Sequence, residues 1–152
     1  MFIKPFQNYV CEGDSIACEV EGFTLTARVY RDDCSDKPDE RDCGFWPSKD
    51  KNAAGYVSRR KFKAEQAKAE RVMAAWLNDE WFYCGVAVTV ERAGVQLTDQ
   101  YANALWGVEC NYPDSDNDYL RSVANDLLSE ALGEAKAKLV ELCACDALEE
   151  CK

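Results

Sequence analysis

Trp81-Phe82-Tyr83-Cys84-Gly85-Val86-Ala87-Val88-Thr89-Val90-Glu91 is aromatic and β-branched, and reads as a central strand, not as a continuation of the helical pattern before it. Its ten residues from Trp81 to Val90 form the longest stretch without a charge, far below the roughly 20 needed to cross a bilayer. Downstream, Arg92-Ala93-Gly94 turns the chain into Val95-Gln96-Leu97. After Asp99-Gln100-Tyr101-Ala102-Asn103, a third run follows over Ala104-Leu105-Trp106-Gly107-Val108-Glu109-Cys110. Three such runs with short links predict an antiparallel meander.

Upstream, Ser15–Val20 and Phe23–Tyr30 alternate with period 2 around Glu21-Gly22, which predicts an N-terminal β-hairpin. Residues 31–57 are loop-rich, with acids interleaved with Pro38, Gly44 and Pro47. From Ser58, a capping residue, to Leu77 there is neither Gly nor Pro, and Phe62, Ala69, Val72, Met73 and Trp76 approximate one apolar stripe. This predicts a basic helix ended by Asn78-Asp79. Pro113-Asp114-Ser115-Asp116 is helix-initiating chemistry. Leu120, Val123, Ala124, Leu127, Ala131, Ala135, Leu139 and Leu142 then predict a long amphipathic C-terminal helix, with 146–152 as a frayed tail. The fold class expected is α+β, in one domain over 1–152. Leu120, Leu127, Val86, Val88, Val90, Trp81 and Trp106 are the expected core.

The chain contains no histidine, which removes Ser-His-Asp and Cys-His nucleophile pairs and imidazole bases. Its nine cysteines are odd in number and form no standard zinc knuckle. No segment at the N-terminus, Met1-Phe2-Ile3-Lys4-Pro5, reads as a secretory signal. These features predict a cytoplasmic chain with mostly reduced thiols, in which Cys84 and Cys110 serve as small core hydrophobes. No phosphate-binding glycine loop is present. Asp114-Ser115-Asp116-Asn117-Asp118 alternates acids but lacks the glycine and distal glutamate of a calcium loop. No cofactor, metal or catalytic residue is expected.

Charge is the informative signal. The net charge is −10, yet residues 48–71 hold eight cations against three acids, a net +5, which leaves −15 for the rest. Asp126, Glu130 and Glu134 stand at successive i+4 steps on one helical face, preceded by Asp114, Asp116 and Asp118. These six are the candidate contacts for a basic partner surface. The alternative is a nucleic-acid module acting through 49–71, with Arg59, Arg60, Lys61 and Lys63 on the phosphates. The acidic remainder repels DNA, which ranks protein binding first. An unassigned enzyme ranks third, because nothing selects one carboxylate pair from 28 acids.

Several segments also carry a resemblance. In the first half they are Gly13-Asp14-Ser15-Ile16, Glu21-Gly22-Phe23-Thr24-Leu25-Thr26-Ala27 and Arg31-Asp32-Asp33. In the second half they are Trp76-Leu77-Asn78-Asp79-Glu80-Trp81, Tyr83-Cys84-Gly85-Val86, Leu105-Trp106-Gly107-Val108-Glu109, Asp118-Tyr119-Leu120 and Val123-Ala124-Asn125. Over 13–43 and 71–135 the chain resembles a family of small acidic, functionally uncharacterised proteins carried by bacteriophages, prophages and plasmids. A longer insert is expected of that family where this chain has the short basic stretch 44–70. The resemblance implies a bacterial host cell and an accessory role of the anti-CRISPR or anti-restriction kind, exerted by binding a nucleoprotein complex without chemistry. It assigns no residue a role.

Overall fold

The computed structural model describes the backbone of residues 1–149 and the side chains of residues 1–144. The fold is α+β. Strands β1 (Ser15–Val20) and β2 (Phe23–Arg31) form the hairpin, joined by Glu21 and Gly22, both at positive φ as a type I′ turn requires. One turn of helix, α1 (Pro38–Arg41), interrupts the loop-rich segment, and α2 (Arg59–Leu77) follows. Strand β3 (Phe82–Arg92) turns through Ala93-Gly94 into β4 (Val95–Gln96), and β5 (Ala104–Cys110) leads to α3 (Asp118–Glu149). The helix therefore continues into the expected tail as far as Glu149, and residues 150–152 lie outside the described residues.

The sheet differs from a simple meander in one respect. β4 and β5 do not lie side by side, because both pair antiparallel with β3 along the edge opposite β2. Val90 and Val88 remain tied to this broken strand: Leu97 N–H donates to the Val90 carbonyl, and Val88 N–H to that of Asn103. Residues 98–103 form an excursion between β4 and β5. The polar loop chemistry there cannot continue a ladder, so one lane of the sheet is shared by two short strands.

The strand alternation places Phe23, Leu25, Ala27 and Val29 with Val86, Val88, Val90 and Cys84 on one face. Leu120, Ala124, Ala131, Leu132 and Ala135 of α3 close that face into the main core. Small residues on the helix let it approach the sheet closely. Two of the core residues expected from the sequence are placed differently. Leu127 is half-buried at the margin of the core. Trp106 is 43% exposed, because it lies on the opposite face of the sheet.

The N-terminal segment, unassigned from sequence, is part of the core through Phe2, Phe6 and Val10. Three asparagines hold it. Asn125 accepts the Phe2 N–H (2.8 Å) and donates to the Phe2 carbonyl (3.2 Å). Asn111 does the same for Val10, at 2.9 and 2.8 Å. Asn117, 1% exposed, donates to the Asn8 carbonyl and to Asn111 Oδ1, and accepts the Asn111 N–H. A side-chain amide can satisfy both polar groups of an extended residue, so the segment is pinned without forming a strand.

Among the described residues, no helix is long and apolar enough to cross a membrane. Leu120 is fully buried, so Leu120→Ala should cost about 2–5 kcal/mol of stability in a urea titration. Leu127→Ala should cost less than half as much, in proportion to the smaller area it removes from water. Equal losses would place the helix face differently.

Candidate functional site

The six acids singled out from sequence are not one free stripe. Asp114 pairs with Arg71 of α2, and this contact lowers its pKa. Asp118 is bonded by Arg121 at 2.8 Å, and Asp116 accepts the Asp118 N–H at 3.0 Å as a local cap. Glu134 accepts a 2.7 Å hydrogen bond from Asn103. Asp126 and Glu130 are exposed on α3, and among the described residues no cation pairs with them. The helix exposes these two; tertiary contacts take up Asp114 and Glu134, and local ones Asp116 and Asp118.

The basic candidates behave in the opposite way. Arg59, Arg60, Lys61 and Lys63 are all exposed on the first turns of α2, and none is in an ion pair among the described residues. Burial on α2 begins only at Ala69, followed by Val72 and Ala75. Lys49 lies over the Phe62 ring at 4.3 Å and adds a cation beside them. The first turn holds no acid, and the expected Ser58 cap makes no side-chain hydrogen bond. Cations at this end oppose the helix dipole, so the arrangement is locally unfavourable. Trp81 anchors the other end of the helix, donating its indole N–H to the Val72 carbonyl at 2.9 Å.

A third constellation was not singled out from sequence. Opposite Gly85, β5 bulges at residues 106–107. Gly107 there has φ +72°, and a Cβ on it would lie 2.9 Å from Cζ of Arg41. The Arg41 guanidinium sits in that space, 4.4 Å above the Tyr83 ring. Around it, Asp42, Cys43, Tyr83, Glu109 and Tyr119 line a cleft of about 540 Å³. Burial raises the Glu109 carboxyl pKa, and nearby Arg41 offsets only part of the rise. Burial, reinforced by Glu109, also raises the pKa of Tyr83, Tyr112 and Tyr119, so these phenols remain protonated donors. The Tyr119 hydroxyl is buried and has no hydrogen-bond partner among the described residues. The cleft thus offers a cation, carboxylates and phenols to a polar group. The sequence signal for it is Gly107 inside a strand pattern, which marks a bulge or a close backbone approach.

Cys84 and Cys110 are both fully buried, as expected. Contact with Cys110, and burial after it, raise the Cys84 pKa, so that thiol stays protonated. Among the described residues no group of three or more His, Cys, Asp or Glu side chains is arranged to hold a metal ion. In Asp114-Ser115-Asp116-Asn117-Asp118, the Asn117 amide points inward to the asparagine clamp.

Comparison of the chain with family models, with characterised proteins and with solved structures finds no match.

The raised Glu109 pKa has a stability consequence. Its folded value lies above the unfolded one, so the ionised form opposes folding. That cost is absent below the ordinary carboxylate range and is fully present above the folded value. Glu109→Gln should therefore be more stable than the parent at neutral pH, with the gap closing as pH falls through the carboxylate range. Urea titrations at neutral and acidic pH check this. A gap that widens in acid would contradict it.

Proposed function

We propose that the protein is a non-catalytic binding protein of a mobile genetic element, acting in the cytoplasm of a bacterial host by occupying a basic surface on a defence nucleoprotein complex of the CRISPR or restriction kind. The observation that carries the reading is the separation of charge over the surface. Asp126 and Glu130 on α3, and Asp36 in the loop before α1, are exposed and unpaired among the described residues. Unpaired surface carboxylates retain their full field, and such a field accelerates association with a cationic surface and fixes its orientation. Binding of this kind needs no nucleophile and no cofactor.

A second reading has an observation of its own in its favour. The four unpaired cations at the start of α2 suit a phosphate backbone, and their place against the helix dipole has no stabilising role within the fold. On this reading the protein is a nucleic-acid-binding accessory module.

Binding measured at two salt concentrations separates the two. The leading reading predicts capture by the protein–nucleic-acid complex, weakened by salt, with no measurable binding to bare duplex DNA. The second predicts direct duplex binding that is lost when Arg59, Arg60, Lys61 and Lys63 are changed to Gln. If each contacts one phosphate, the log–log salt slope would be roughly −3.6. Duplex binding of that kind would replace the leading reading.

A further inference from the structure

We infer that the sheet face opposite α3 is a docking surface for an arginine-bearing segment of a partner protein, centred on Trp106, Tyr101 and Tyr30. This deepens the basic-partner reading above and rests on it.

The face exists because β3 alternates. Val86, Val88 and Val90 point to α3, which leaves Gly85, Ala87 and Thr89 on the other side beside Thr26, Arg28 and Tyr30 of β2. Among the described elements α3 packs on the first face, while Val72 and Ala75 of α2 join a cluster with Trp81 and Tyr83. The Trp106 ring lies directly on the Gly85 backbone, where a Cβ would come within 2.7 Å of its Cδ2. Tyr101 packs against Trp106 with centroids 5.8 Å apart, and Tyr30 meets Tyr101 edge-on at 5.0 Å. Gln100 ties the two tyrosines together, donating to both hydroxyls at 3.0 and 3.1 Å.

The rings are therefore fixed before any partner arrives, yet they remain open. Tyr101 is 52% and Trp106 43% exposed. Rigid aromatic groups lose little conformational entropy on binding, and such residues dominate the energetics of protein interfaces. An exposed aromatic cluster, held by a glycine and a glutamine instead of sinking into the core, is suited to that task.

Charge selects the partner. Trp106 shares a cleft of about 310 Å³ with Asp32 and Asp36, which Arg41 also lines. Residues 31–42 carry six acids against three cations. Of those cations, Arg31 pairs with Asp79, Arg41 lies over Tyr83 and Lys37 pairs with Glu40. Asp32 is occupied in capping Cys34 and Ser35, so Asp36 is the available carboxylate. An aromatic face with a carboxylate at its edge matches guanidinium, which stacks on the ring while its N–H groups bond the acid. Nucleic-acid bases also stack on aromatic rings, but their phosphates would be driven into these acids.

The test uses the ¹⁵N-labelled full chain titrated with three probes: an arginine–glycine repeat peptide, its glutamate-bearing counterpart and a single-stranded oligothymidylate. The arginine peptide should move the Trp106 indole N–H signal and leave that of Trp81, buried and bonded to Val72, in place. Asp36→Asn and Tyr101→Ser should each weaken that peptide at least tenfold, and Asp126→Lys with Glu130→Lys should leave its site unchanged. Trp106→Phe serves to assign the signal. Shifts confined to the Asp126–Glu130 region would overturn this docking surface while sparing the basic-partner reading. Movement of Trp106 by the oligothymidylate would assign the face to nucleic acid instead. Absence of any binding by the arginine peptide would remove both.

Discussion

The strand Phe82–Val90 is buried on both of its faces, and the rest of the fold is arranged to keep water from it. A sheet strand flanked by two neighbours has its backbone satisfied but still presents two side-chain faces. Here the valine face is covered by the small-residue side of α3. The other face carries Gly85 and Ala87, too small to exclude water themselves, and the Trp106 ring from β5 lies over Gly85. At the strand's start, Trp81 and Tyr83 receive α2 and Tyr112. Each covering element leaves its outer side free, and those outer sides hold the charges and rings available to partners.

The asparagine clamp shows how the same core draws in a segment with no regular structure. Asn111 and Asn117 both take positive φ, a conformation asparagine tolerates better than most residues. Their amides thereby reach the backbone of residues 8 and 10. The clamp sits between β5 and α3, so the N-terminal segment, the end of the sheet and the start of the long helix are tied at one point. Loop acids that look like a ligand cluster in sequence, Asp114, Asp116 and Asp118, serve this junction through Arg71, a local cap and Arg121.

Periodicity made most of the elements legible. The hairpin with its Glu21-Gly22 turn, the central strand, the β5 run and both main helices lie close to where alternation and the apolar stripes place them. Other features depend on contacts distant in sequence, which no local pattern encodes. The sharing of one edge of β3 by β4 and β5 depends on the 98–103 excursion. The exposure of Trp106 depends on a glycine across the sheet, since a tryptophan in a strand otherwise reads as core. The candidate acids were chosen by helical spacing, which correctly puts Asp126 and Glu130 on the surface. Spacing says nothing of Asn103, which occupies Glu134, or of Arg71, which occupies Asp114. The Arg41 cleft was missed because its residues are far apart in the chain and only Gly107 hints at it.

Amide hydrogen exchange tests the dependence on β3 most directly, since protection reports how much of the fold must open to expose each N–H. The N–H groups of Val86, Val88 and Val90, held between β2 and the β4/β5 lane, should exchange most slowly, at the limit set by global unfolding. Those of residues 59–66, on the part of α2 without buried residues, should exchange orders of magnitude faster. Protection of residues 59–66 equal to that of Val86–Val90, or β3 amides exchanging as fast as those of the edge strand β1, would contradict the account.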